Sequence, residues 1–286
     1  MFIRFTWFII LISILGCQQK DKNEDTLVII HTQLGNITLV LFDDTPKHKE
    51  SFINLAKEGT YDSTTFHRVI HNFMIQGGDI GAKSGFRNEG KRLIPAEFRS
   101  THLHVRGALA AAREGDNVNP EKQSSIQFYI VQGKTFTEKQ LTTDLAKLNY
   151  AAGRYLQSES NLVLRDSLAL MQEQGRIDEM QAILVNLKDE IAEYTALNLD
   201  KSATPEQIKL YTTIGGVPYL DGDYTVFGQV LDGMDVVDKI SLVKTNEKDK
   251  PIENIFLTME IKQLSKTDIT SKYGYYYPIE KTIENQ

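Results

Sequence analysis

The sequence predicts a mainly β protein that closes into a barrel and carries an inserted block of helices. Three observations predict it. Short runs that alternate apolar and polar residues recur from Thr26 to Val131. From about Gly133 to Ile214 the apolar spacing changes to three and four, the period of a helix surface. After Gly215 the short runs return, ending on Ile255, Leu257, Met259 and Ile261 at every second position. Many strands and few helices outside the block, in an up-and-down count, fit a closed barrel, which leaves no sheet edge exposed.

The chain has 286 residues, enough for one large domain or two small ones. Its net charge of −6 argues against a nucleic-acid partner, which would need clustered Lys and Arg. At the N-terminus, Arg4 is followed by an apolar run through Leu15. That run is shorter than the roughly 20 residues that span a bilayer, and fits a secretory signal segment. It ends in Ile14-Leu15-Gly16-Cys17, which resembles the lipobox of bacterial lipoproteins. Cys17 is the single cysteine, so no intramolecular disulfide can form and lipidation is its expected use. Residues 1–16 therefore read as a signal peptide, 17–25 as a lipidated polar tether. Gln18 rather than Asp after the cysteine favours an outer membrane over an inner one in the lipoprotein pattern. Export and anchoring to a bacterial membrane through Cys17 are the expected location.

Thr26–His31 and Ile37–Phe42 read as two strands around the turn Gln33-Leu34-Gly35-Asn36. Thr45-Pro46 starts a helix, as N-cap and first helical residue, with Phe52, Leu55 and Ala56 on its apolar face and Gly59 as its stop. The stretch Phe66 to Gly78 follows. Its alternation reads as two strands, with Arg68 and Gln76 able to share a groove beside Phe73 or Met74; an ordinary hairpin with a surface arginine is the plainer reading of spacing alone. Gly81–Arg92 reads as an exposed loop. Arg106–Arg113 is a strand of small residues that something must approach closely, and Ile126–Val131 is another strand.

In the helical block, Thr137-Glu138-Lys139-Gln140 forms a capping box. Leu141, Leu145, Leu148, Ala152 and Tyr155 make one apolar stripe; Ile177, Met180, Leu184, Leu187, Ile191 and Tyr194 make a second after Gly175. Thr204-Pro205-Glu206-Gln207 caps a third helix. Two long amphipathic helices predict an antiparallel hairpin or small bundle over 133–214. Met234–Ser241 reads as a helix, Glu253–Gln263 as a closing strand, and 267–286 as a tail without assigned function.

Phe66-His67-Arg68 followed by Phe73-Met74-Ile75-Gln76-Gly77-Gly78-Asp79 resembles the signature of the cyclophilin family of peptidyl-prolyl isomerases. Further family segments recur in order: Ile94-Pro95-Ala96-Glu97-Phe98, Arg106–Arg113, Gln127-Phe128-Tyr129, Leu220-Asp221-Gly222 and Val226-Phe227-Gly228. The resemblance covers about Leu27–Gln132 and Gly215–Lys262. It implies an eight-stranded cyclophilin-like β-barrel capped by two helices, formed by 26–132 and 215–266 around the helical insertion. It implies Arg68 as the catalytic residue, and Phe73, Met74, Gln76, Ala112, Arg113, Gln127, Tyr129, Tyr219, Leu220 and Tyr224 as the substrate-binding residues. The chain departs from the family at three places. Ser125-Ile126 replaces the usual Gly-Ser, Tyr129 replaces the pocket Phe, and Tyr219 stands where many eukaryotic members carry Trp, which argues against tight cyclosporin binding.

The expected activity is isomerisation of Xaa-Pro bonds in unfolded or exported proteins, by a monomer. In the twisted transition state the prolyl nitrogen gains a lone pair, so a donor aimed at it stabilises that state alone. No proton or covalent bond is transferred, so no cofactor, base or metal is expected. His67 and His71 would suit a metal only on a helix, and His102 and His104 share a strand face but lack a third ligand. The alternative function is a membrane-anchored peptide-binding or chaperone protein that uses the helical insertion with little catalysis.

Overall fold

Alternation decides which side chains fill the barrel. The structure is a computed structural model that describes residues 23–83 and 92–278. The signal-segment and Cys17 expectations, and most of the loop from Gly81 to Arg92, lie outside the described residues. The chain forms β1 (Glu24–Thr32), β2 (Gly35–Leu41), α1 (Pro46–Lys57), β3 (Thr64–Ile70), β4 (Met74–Gly77), β5 (Ala108–Ala111) and β6 (Phe128–Val131). There follow α2 (Glu138–Leu141), α3 (Leu145–Tyr155), α4 (Leu162–Glu173), α5 (Ile177–Asn186), α6 (Lys188–Thr195) and α7 (Pro205–Thr213). The described chain ends with β7 (Val226–Asp232), α8 (Met234–Ser241), β8 (Phe256–Ser265) and α9 (Lys266–Tyr273).

The eight strands close in the order β1-β2-β7-β5-β6-β4-β3-β8. The barrel is therefore closed but not up-and-down. Only β1–β2, β3–β4 and β5–β6 are sequential neighbours, and long connections carry α1 and the helical block, letting β7 enter between β2 and β5. Inward residues such as Leu39, Phe66, Val69, Ile75, Leu109, Phe128 and Ile130 form one core with Phe52 of α1 and Val237 of α8. The two helices thus seal the barrel with their apolar faces. The residues between, Met74, Ala108, Ala110, Tyr129 and Val131, turn outward into a second cluster with Val217 and Val226.

Thr45 and Pro46 begin α1 as expected, but the Thr45 side chain does not cap the helix. Its hydroxyl donates instead to the Phe42 carbonyl at 3.3 Å. The paired glycines at the end of β4 have a packing reason. Gly78 has φ +80°, and a Cβ there would sit 2.9 Å from the Phe128 ring.

The helical block is a small bundle of short helices rather than two long ones. Both threonine capping boxes form, at Thr137 and Thr204. The first stripe is broken where Asp144 starts α3 by accepting the Lys147 amide. The second breaks at Leu187 (φ −84°, ψ 4°), which is at once the C-cap of α5 and the N-cap of α6. Leu148, Ala152, Leu184 and Ile191 from those stripes pack together with Leu168 of α4. Ile177 and Tyr194, the ends of the second stripe, are exposed.

The block leaves and rejoins the barrel at one neck, where Gly216 bridges both Lys134 and Val105. Gly216 has φ +151°, and a Cβ there would meet the His104 carbonyl oxygen at 2.2 Å and Val105 Cα at 2.7 Å. Those atoms are backbone and cannot turn aside. Gly216→Ala is expected to cost at least about 3 kcal/mol through strain and overpacking. Urea unfolding would read this as a lowered midpoint at unchanged slope.

Among the described residues, Thr26–Lys262 is one compact unit, and 23–25 with 263–278 form another. Within the latter, the tail unexpectedly holds α9, capped by the Ser265 side chain and stopped by left-handed Gly274.

Candidate active site

A register slip in β3 aims Arg68. Phe66 faces Gly77 and Arg68 faces Gln76, so His67 is the extra, bulged residue. Without the slip, residues 66 and 68 would share a face and Arg68 would follow Phe66 into the barrel. With it, Phe66 and Val69 both point inward and Arg68 stands outside, opposite Gln76. Burial holds His67 neutral by lowering its pKa.

Arg68, Phe73, Met74, Gln76, Ala112, Arg113, Tyr129, Leu220 and Tyr224 line one cavity of about 250 Å³. Strands β3, β4 and β6, the residues just after β5 and the segment after α7 contribute to it, so residues from Arg68 to Tyr224 meet there. The Arg68 guanidinium carbon lies 6.0 Å from the centre of the Phe73 ring, and its Nε is 3.7 Å from Asp249 Oδ2. Among the described residues its side chain donates no hydrogen bond, so its planar fork is open to a ligand.

Gln127 is not in the cavity wall but fixes a residue that is: its Oε1 accepts from Gln76 Nε2 at 3.0 Å. Tyr219 also lies off the cavity, 61% exposed, with its ring stacked on Phe73 at 6.0 Å. The Arg113 side chain is held by its neighbours through Nε and Nη1. It donates to the Asp223 and Glu114 carbonyls and to Asp116, and covers the Tyr224 ring at 4.5 Å. Its own backbone N–H and C=O make no hydrogen bond among the described residues. Those of Ala112 are both taken, by Gln127 and Ser125. Ser125 also holds the bend into β6, its hydroxyl donating to the Ala112 carbonyl at 3.1 Å.

Beneath the cavity lies a buried polar chain that sequence reasoning missed. The His104 side chain is 0% exposed. Its Nε2 meets the Tyr129 hydroxyl at 3.0 Å and its Nδ1 meets Asp221 at 3.1 Å. Asp221 also accepts from the Tyr211 hydroxyl at 2.7 Å and from the His104 amide at 2.8 Å. The two histidines expected on one strand face do not share one. Residues 102–104 are irregular, and His102 turns to Asp44 at 2.7 Å while His104 turns to Asp221.

A second polar cluster has the form of a nucleophile relay. His48 Nε2 is 2.6 Å from Ser124 Oγ, and its Nδ1 is 2.7 Å from Glu97. Ser124 is 2% exposed, which keeps carbonyl substrates from its hydroxyl, so the cluster ties α1 to the loops at 97 and 124. Burial first lowers the His48 pKa below its usual value. Hydrogen bonds from His48 and the Lys47 amide hold Glu97 low against the opposing effect of its own burial. Both His48 and His67 are neutral when folded, while the unfolded chain takes up protons below about pH 6.5. Stability is therefore expected to fall as pH drops from 7.5 to 5.5, and His48→Gln should flatten that dependence. Urea midpoints at the two pH values measure it.

A family model described as cyclophilin type peptidyl-prolyl cis-trans isomerase/CLD matches residues 27–150 and 177–261. The chain belongs to the cyclophilin-type peptidyl-prolyl cis-trans isomerases. The match extends further into the helical block than the motif segments do, leaving 151–176 unmatched between its two parts. A Staphylococcus saprophyticus protein, provisionally named a peptidyl-prolyl cis-trans isomerase, is 30% identical over 80% of this chain and 87% of its own length. A Streptococcus pyogenes protein, provisionally named a bifunctional phosphatase/peptidyl-prolyl cis-trans isomerase, is 33% identical over 82% of this chain. This chain spans only 38% of that relative. A crystal structure of a Cryptosporidium parvum cyclophilin-type isomerase is similar over 85% of this chain and 98% of its own, at 20% identity and a TM-score of 0.48.

Proposed function

We propose that this cyclophilin isomerises Xaa-Pro bonds of exported proteins, with Arg68 stabilising the twisted amide. The observation that carries the reading is a guanidinium that donates no hydrogen bond among the described residues, at the edge of an apolar cavity lined by Phe73, Met74, Tyr129 and Leu220. The barrier to amide rotation is about 18–20 kcal/mol and comes from resonance. Twisting the bond leaves a lone pair on the prolyl nitrogen. A cationic donor there stabilises the twisted state more than the planar one, which is the condition for acceleration. The prolyl ring occupies the apolar cavity, Gln76 braced by Gln127 and the open backbone of Arg113 hold the flanking peptide, and the Arg68 fork reaches the prolyl nitrogen and carbonyl. Ala112 narrows the wall without taking space, and Tyr219 on Phe73 extends the rim. On this reading the enzyme acts as a monomer.

The same reading has residues 1–16 removed on export and Cys17 lipidated, holding the enzyme at a bacterial membrane beside chains that fold outside the cytoplasm. Cys17→Ser is expected to move the protein from the membrane fraction to the soluble one.

The test of the function is exchange of an Xaa-Pro peptide between its cis and trans forms. Wild-type protein is expected to accelerate it above the solvent rate, and Arg68→Ala to lose at least about tenfold, or ~1.4 kcal/mol of transition-state stabilisation. A wild-type rate equal to that in solvent would leave peptide binding as the only activity of the groove.

A further inference from the structure

We propose that His104 is a positioning residue of the proline pocket, locking Tyr129 through Asp221 to Tyr211 of the helical insertion. The proposal rests on the isomerase reading for its kinetic consequences but not for its chemistry. Asp221 is a carboxylate and can only accept, so the proton between it and His104 sits on Nδ1. In the proposed arrangement the other nitrogen, Nε2, is an acceptor, with the Tyr129 hydroxyl donating to it. Tyr129 therefore spends its single donor behind the cavity wall and shows the cavity only its ring.

That arrangement has a use. Arg68 must hold the twisted state better than the planar one. A second free donor in the cavity would bind the planar prolyl carbonyl as well, and uniform binding of that kind does not raise kcat. The chain also fixes the ring in place. Tyr129 is 4% exposed, stacks on His104 at 6.1 Å and meets Tyr224 edge-on at 6.0 Å, so two cavity-lining rings rest on one imidazole. Burial also holds the Tyr129 and Tyr211 hydroxyls in their protonated, donating form.

The far end of the chain lies in the insertion. Tyr211 of α7 is fully buried, its single hydroxyl proton donated to the Asp221 carboxylate with both oxygens 2.7 Å away, and Gln207 of the same helix reaches Oδ2 at 3.4 Å. Asp221 immediately follows Leu220, itself a cavity residue. The insertion thereby sets the cavity wall at two points: at Tyr129 through His104, and at Leu220 through the backbone beside Asp221.

Two measurements on the whole protein test the proposal. The first does not need activity. Ring ¹⁵N spectra of wild-type protein should show the His104 imidazole protonated at Nδ1 with Nε2 as acceptor; the opposite tautomer, or a ring protonated at both nitrogens, overturns the proposal. The second is a double-mutant cycle. Tyr211→Phe is expected to raise KM for a proline peptide roughly three- to tenfold, with kcat changed less, since one hydrogen bond of the chain is lost. In a Tyr129→Phe background, where no hydroxyl remains to be positioned, the same change should raise KM less, leaving only the part transmitted through Leu220. His104→Gln, which retains a donor and an acceptor, should raise KM less than His104→Leu. An equal effect of Tyr211→Phe in both backgrounds, or none in either, overturns the proposal even if the enzyme is active. If wild-type protein shows no isomerase activity, the cycle is read on peptide affinity, so failure of the isomerase reading is distinguished from failure of this one.

Discussion

Arg68→Ala is expected to lower kcat/KM on an Xaa-Pro peptide by about 10- to 100-fold, or roughly 1.4–2.7 kcal/mol. Removing one preorganised donor from an oxyanion site costs about 10²–10³. The charge that develops here is a nitrogen lone pair rather than a full oxyanion, which places the effect below that range. Arg68→Lys should recover part of the loss, because an ammonium keeps the charge but cannot contact nitrogen and carbonyl together as a planar fork does. Stability should barely change in either variant. Arg68 is nearly half exposed, and its pair with Asp249 at 3.7 Å is an exposed one of the kind worth about 0–1 kcal/mol. A thermal midpoint measured beside the rates separates the loss of catalysis from loss of fold.

Phe128→Ala should have the largest effect on stability, about 3–5 kcal/mol. Its ring is fully buried and packs edge-on against Phe52 at 5.3 Å, Tyr61 at 5.7 Å and Phe66 at 6.1 Å, tying α1, the following turn and β3 to β6. Net stabilities of about 5–15 kcal/mol leave little after such a loss. The neighbours on either side are Gln127 and Tyr129, so the cavity should suffer before global unfolding is complete. Urea titration of Phe128→Ala, followed by peptide affinity at low urea, measures both. A drop in stability under about 1 kcal/mol would mean the cluster relaxes around the gap.

Elements governed by local rules were legible in the sequence. Alternation located the strands, α8 fell on Met234–Ser241, and both threonine capping boxes formed because their partners are three residues away. The cavity was legible through its resemblance to a known family: nine of the eleven residues it implied line one space. What was not legible depends on contacts between distant residues. The bulge at His67 shows only when β3 is paired with β4, yet it decides the side on which Arg68 stands. The His104–Asp221 pair spans 117 positions, and no spacing rule links them. Asp221 lies within one family segment and His104 just before another, and that proximity is the signal the sequence offers. The long helical stripes misled because an apolar period continues across the breaks at Asp144 and Leu187, where only capping geometry shows the interruption.

The most direct test of the central claim compares affinity and rate for Arg68→Ala on one proline peptide. Titration gives Kd, and exchange spectroscopy at saturation gives the cis–trans rate on the enzyme. A donor that acts on the twisted state predicts a bound-state rate at least about tenfold slower, with Kd changed by less than about threefold. An unchanged bound-state rate with a weakened Kd would contradict the account, because Arg68 would then hold planar and twisted peptide alike.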